Sequence, residues 1–311
     1  MDREVETGRS VATLTAAQLF ARTKIAVNAD ICCLDLPDAL RAPRRPTDLL
    51  MLSRRLQREM QAQVAGVVIT HGTDTLEEVA YLVDEVIPLN VPLIFTGAMR
   101  PAWADDYDGV RNLENALRLA LTVSPDYGVL VTMNNEVFEA WSVYKSDTET
   151  LNGFTARRGA PSGRLTGDHI ELNWQPSSHA RYGRMPLSLP SAVPILTMGV
   201  GDDAVLLEHA AAERVQGIVI AGMGAGTIPP VAYDRVVAVT KKNIPVVLCS
   251  SATSGSTAED FYYPGAYDDL RAVGVTIENH LNARKTRIRL LVSLGLGVPY
   301  SPLKEPERTV S

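Results

Sequence analysis

Only three cysteines occur in 311 residues, two of them adjacent (Cys32, Cys33) and the third distant (Cys249). That excludes a disulfide framework. A basic surplus is lacking as well. Thirty Lys and Arg face 36 Asp and Glu, for a net charge of −6, which argues against nucleic acid as a general partner. No apolar run is long enough to cross a bilayer. The opening MDREVETGRS has no basic-then-apolar leader pattern, so a cytoplasmic protein without membrane attachment is expected. His71, His169, His179, His209 and His280 show no i,i+4 spacing and no C-x-x-C occurs, so no metal site is expected. Apolar residues are plentiful at 46%, enough for a core, which excludes disorder and fibrous folds.

Short β-branched runs alternate with segments of helical period, the pattern of parallel strands joined by crossover helices. Buried strands are predicted at 66–70 (GVVIT), 91–95 (VPLIF), 128–132 (GVLVT), 195–198, 217–221 (GIVIA) and 244–249 (IPVVLC). Helices are predicted at 48–60, 75–86, 108–121, 202–215, 230–242 and 283–294. A stretch with four prolines and no periodicity, WQPSSHARYGRMPLSLPSAVP, divides the chain. The fold class predicted is therefore α/β: a doubly wound, mainly parallel sheet in an N-terminal domain (1–174), a linker (175–194), and a smaller α/β C-terminal domain (195–298). A proline-rich, charged tail (299–311) follows. Ligands of such sheets bind beyond the carboxyl ends of the strands.

The strongest local signal is VVITHGTDTLEEVAY, residues 67–81. A buried strand enters a small polar turn, His71-Gly72-Thr73-Asp74-Thr75, and an amphipathic helix follows. Backbone N–H groups and the positive end of a helix meet there, which favours a small anionic or carbonyl ligand. Thr75 and Glu78 have capping-box spacing. Taken alone, a T-D-T before a helix reads as a cap, and Lys145 alone reads as a solvated loop lysine. GMGAG after the 217–221 strand lacks G-x-G-x-x-G spacing and a following acid, so neither a dinucleotide nor any other cofactor is expected.

HGTDTLEE closely resembles the second signature of the bacterial-type asparaginase/glutaminase family, and further matches follow in order. GAMRPAWADDYDGVRNLENAL (97–117) is similar to its GAMRP…DG…NL…A segment. GVLVTMN (128–134) resembles its next strand, and VYKSDT (143–148) the stretch with its active-site lysine. GIVIAGMGAGTIPP, VVLCSSATSG and LNARKTRIRLLVSL resemble its C-terminal domain. The resemblance implies catalytic roles for Thr73, Asp74 and Lys145, and substrate contacts from Gly72, Asp74, Ala98 and Met99. Thr73 would be the threonine nucleophile, Lys145 its activator, and Asp74 the holder of the substrate α-amino group. An alcohol needs such an adjacent base near neutral pH. The activity implied is hydrolysis of the side-chain amide of L-asparagine, or of a related small amide, by a homotetramer built as a dimer of dimers. Each site would lie between the N-terminal domain of one subunit and the C-terminal domain of its partner.

The sequence departs from the family in places. The family's glycine-rich TGGT turn and its mobile tyrosine loop have no counterpart; TGRSVA (7–12) fits the segment after that loop, so the chain is expected to begin beyond the first strand. The loop that binds the substrate carboxylate falls on residues 40–42 (LRA), where Arg41 replaces a serine. Ala225 and Thr227 stand where an asparagine is usual. These departures leave open an amide-binding protein with impaired or repurposed catalysis, or an amidase or amidotransferase for a different amide, on the same scaffold.

Overall fold

The computed structural model describes residues 2–3, 10–11, 14–37, 43, 45–61, 63–157, 159–173, 181–257, 263 and 265–304. Two sheets organise these residues: one six-stranded and mixed, the other four-stranded and parallel, with two-stranded ladders beside them. The larger sheet begins with Val67–Thr70, Leu93–Thr96 and Val129–Met133, all parallel. It continues antiparallel through Glu136–Glu139, Gly163–Thr166 and His169–Leu172.

The change of direction has a local cause. Asn134 and Asn135 both adopt positive φ, 47° and 65°, and form a two-residue hairpin after Val129–Met133. Asparagine tolerates that conformation better than other side chains, and such a turn matches the twist of antiparallel strands. The parallel half follows the periodicity of the sequence. The antiparallel half follows from this tight turn, and the sequence reading did not predict its strands.

Alternation of side chains sorts the core of this sheet into two faces. Ile69, Phe95, Val129 and Val131 pack with the Leu76–Val86 helix on one side. Ile94, Leu130, Val137 and Leu165 pack with Ala116, Leu119 and Ala120 of the Gly109–Thr122 helix on the other. Among the described residues, Val67–Thr70 forms one edge of the sheet. Asp2–Arg3 does not pair with it, but makes a separate antiparallel ladder with Ser10–Val11.

In the smaller sheet, Ile195–Thr197, Ile218–Gly222, Val246–Ser250 and Thr276–Ile277 are parallel and in sequence order. Helices Val205–Ala212, Tyr233–Thr240 and Tyr267–Ala272 contribute to the core on one face. The final helix, Ala283–Leu296, covers the other face and also packs on the Leu76–Val86 helix of the N-terminal part. It is buried on several sides, so its apolar residues do not form a single stripe. Its Arg289 pairs with Glu85, which also accepts the Tyr81 hydroxyl at 2.7 Å. No helix among the described residues is long and apolar enough to cross a membrane.

Candidate active site

The Val67–Thr70 strand delivers the His71–Thr75 turn to its carboxyl end. The His71 amide donates to the Thr96 carbonyl at 2.8 Å, extending the parallel pairing by one residue. The His71 ring is buried, and its Nδ1 donates to the Gly72 carbonyl at 2.7 Å. Burial pushes its pKa down, and the Gly72 bond only partly opposes that shift. Thr75 stands at the helix N-cap, but its side chain makes no capping bond. Its carbonyl instead accepts the amides of Glu78 and Val79 at 3.2 and 3.0 Å. The capping box expected from Thr75 and Glu78 is therefore not formed.

Thr73 and Lys145 meet above this turn. Lys145 ends the Val143–Lys145 strand, which pairs antiparallel with Phe154–Ala156. Its Nζ lies 2.8 Å from Thr73 Oγ1 and 3.0 Å from Asp74 Oδ1. The Lys145 side chain is 15% exposed and that of Asp74 is 94% exposed, so the amine is sheltered while the carboxylate faces outward. Gly72 is exposed beside them. The Lys145 amide donates to Glu77 Oε2 at 2.9 Å, and Glu77 Oε1 pairs with Arg284 at 3.4 Å. Glu77 is buried and was not singled out from the sequence. It stands in the LEE run, where its register on the helix was the available signal.

The loop after Leu93–Thr96 closes the same corner. A Cβ on Gly97 would lie 2.6 Å from the His71 carbonyl and 3.5 Å from Thr73 Cγ2, so a side chain has no room there. Ala98 and Met99 follow, both half-buried. Asp108 holds this loop, accepting the Met99 amide at 3.1 Å and the Arg100 amide at 3.0 Å. Asn112 donates to the Gly97 carbonyl at 3.0 Å and to Asp108 at 2.8 Å. Asp108 and Asn112 are the acid and amide of the DG and NL elements, here acting as a brace beneath the turn.

Residues 40–42 lie outside the described residues. The 223–227 turn is closed on itself: Met223 and Thr227 exchange backbone bonds of 2.8 and 2.9 Å, and the Gly224 carbonyl accepts the Ser250 hydroxyl. An open groove of about 680 Å³, bordered by Glu78, Val193, Ala210, Arg284 and Arg287, is lined by none of Thr73, Asp74 and Lys145.

Comparison with known proteins assigns the chain to a family. The family model for the N-terminal domain of asparaginase matches residues 1–178. That for the glutaminase/asparaginase C-terminal domain matches residues 192–305. A probable L-asparaginase of Deinococcus radiodurans is 34% identical over 251 residues, covering 78% of this chain and 76% of the relative. An L-asparaginase of Bacillus licheniformis is 30% identical over 250 residues, with 79% and 76% covered. Among solved structures, a probable cytoplasmic L-asparaginase from Campylobacter jejuni superposes with a TM-score of 0.72 at 29% identity, covering 82% of this chain and 80% of that one. Fold and relatives together define a two-domain α/β amidohydrolase. The chain belongs to the bacterial-type asparaginase family.

Proposed function

We propose that this protein hydrolyses the side-chain amide of L-asparagine, or of a related small amide, to the acid and ammonia, with Thr73 as nucleophile. The observation that supports this assignment is the Lys145 amine 2.8 Å from the Thr73 hydroxyl and 3.0 Å from Asp74. In this reading the Lys145 amine takes the Thr73 proton as Oγ1 bonds to the amide carbon. The carbonyl π electrons move onto oxygen. Collapse of that oxyanion breaks the C–N bond, and the proton passes from lysine to the leaving nitrogen, so ammonia departs and an ester of Thr73 remains. Water then attacks the ester, Lys145 again carrying the proton, and the acid leaves with Thr73 restored. Asp74, exposed at the mouth, binds the substrate ammonium group, and Gly72, Ala98 and Met99 border the substrate.

The experiment is ammonia release from L-asparagine by the purified chain, run beside Thr73→Ala. Release abolished by Thr73→Ala supports the assignment. Release that survives it places the nucleophile elsewhere. No release, with asparagine still raising Tm, favours an amide-binding protein.

Assembly as a homotetramer is part of the same proposal. Its support is the family resemblance, and the exposed apolar side chains Leu187, Val200 and Leu206 are available to subunit contacts. Sedimentation equilibrium giving a monomer at micromolar concentration would overturn it. A cytoplasmic location is proposed on the likeness to the Campylobacter jejuni protein, and fractionation of cells expressing the natural gene tests it.

A further inference from the structure

Lys285 carries an amine for which the reaction above has no use. It stands in the first turn of the Ala283–Leu296 helix and is 1% exposed, among the largest fully buried side chains. Its Nζ donates to the Ala140 carbonyl at 2.7 Å and to the Val143 carbonyl, and lies 5.8 Å from the centre of the Tyr81 ring. Removing an amine from water carries a large penalty. Here burial pushes its pKa down to about 7, against the attraction of Glu77. A methionine would fill similar space without that penalty, so packing alone does not account for a lysine.

The two carbonyls belong to the stretch that leads into Lys145. The Val143–Lys145 strand is three residues long and, among the described residues, pairs in a two-stranded ladder, which has little stability by itself. Its other support comes from the preceding residue of the same helix turn: Arg284 pairs with Glu77, and Glu77 accepts the Lys145 amide. The turn thus grips the strand directly through Lys285 and indirectly through Arg284. The Lys285 amine is bonded to backbone carbonyls, away from the Thr73 hydroxyl.

We propose that Lys285 is a positioning residue for amide hydrolysis, tying the entry of the Lys145 strand to the final helix so that the Lys145 amine stays on the Thr73 hydroxyl. This rests on the reading of Thr73 and Lys145 as the reacting pair. A loose strand would let the amine drift, and a displacement near 1 Å in such a group costs on the order of a hundredfold in rate.

The test uses the full chain and four variants. Lys285→Met removes the donor at similar volume, and Lys285→Gln keeps a shorter donor. Ile288→Val, a buried residue of the same helix, controls for packing. Thr73→Ala controls for the site. The expected result is a fall in kcat of about tenfold to a hundredfold in Lys285→Met, with KM within about threefold and Lys285→Gln between it and the parent. Amide exchange at residues 143–146 should quicken in the same order. Ile288→Val should lower Tm and leave kcat in place. A kcat within about twofold of the parent in Lys285→Met, whatever its Tm, overturns the positioning role. Should Lys285→Met fail to fold, the kcat of Lys285→Gln decides by the same criterion. Ammonia release that is absent in the parent, or that survives Thr73→Ala, defeats the reading of the site, and the positioning role falls with it. That outcome is recognisable because the Thr73→Ala control reports it independently.

Discussion

The Lys145 amine donates to the Thr73 hydroxyl at 2.8 Å across 72 residues of chain. One partner sits on a turn at the end of a parallel strand, the other at the end of a short antiparallel hairpin. Glu77, in the first turn of the helix after Thr73, also accepts the Lys145 amide and so helps to hold the pair together.

Removing the amine should therefore stop the chemistry while leaving the fold. Lys145→Met is expected to lower kcat for ammonia release by about 10²–10⁴. Its effect on Tm should be small, because the Lys145–Asp74 ion pair has a carboxylate 94% exposed, and exposed pairs contribute about 0–1 kcal/mol. Asp74→Asn should instead raise KM more than it lowers kcat. Steady-state kinetics with a thermal melt separate these outcomes, and equal kcat in Lys145→Met and parent would defeat the proton-relay role.

Gly97→Ala should damage both stability and turnover. The new methyl would meet the His71 carbonyl at 2.6 Å, and that neighbour is backbone inside a strand extension, with no rotamer to yield. Forcing an atom into such a contact costs about 1–3 kcal/mol. Urea unfolding measures the loss; a variant as stable and active as the parent would mean that the two loops can separate freely.

Asp108→Asn keeps the volume and removes one acceptor. Asp108 accepts the Met99 and Arg100 amides on separate oxygens, so one of these amides would face an NH2 group. The expected cost is about 1–3 kcal/mol, for a donor left without its partner. KM should rise because the Ala98–Met99 loop is loosened. Unchanged KM with lowered stability would remove that loop from the substrate site.

Stability should depend on pH through Lys285. Burial lowers its pKa to about 7 from 10.5, so between those values the unfolded chain holds a proton that the native chain has lost. The native state therefore gains relative stability as pH rises from about 7, and below it the full burial penalty applies. Lys285→Met lacks this dependence. The parent-minus-variant difference in unfolding free energy should grow by up to about 1.4 kcal/mol per pH unit towards alkaline pH. Urea unfolding from about pH 6 to 9 tests it, and a flat or shrinking difference would show that Lys285 keeps an ordinary pKa.

Local pattern was enough for much of this molecule. Short continuous apolar runs located the parallel strands from Val67–Thr70 to Val246–Ser250, and period-3.6 hydrophobicity the helices between them, because the strands are buried within the sheet and each helix buries one face. The HGTDT turn, and with it Thr73 and Asp74, was legible for the same reason: strand, turn and helix are contiguous. Tertiary structure decided the remainder. The antiparallel half of the large sheet depends on Asn134 and Asn135 taking positive φ, and its outer strands Gly163–Thr166 and His169–Leu172 are half-exposed and lack the continuous apolar runs that mark the parallel ones. Thr75 and Glu78 had the spacing of a cap, yet the Thr75 side chain makes no capping bond, a matter of local geometry that spacing does not set. Buried charges such as Glu77, Lys285 and Arg289 read as solvated helix residues in a sequence. Their worth comes from partners far along the chain: tertiary packing brings Glu77 to Lys145, and the final helix carries Lys285 to Ala140 and Arg289 to Glu85.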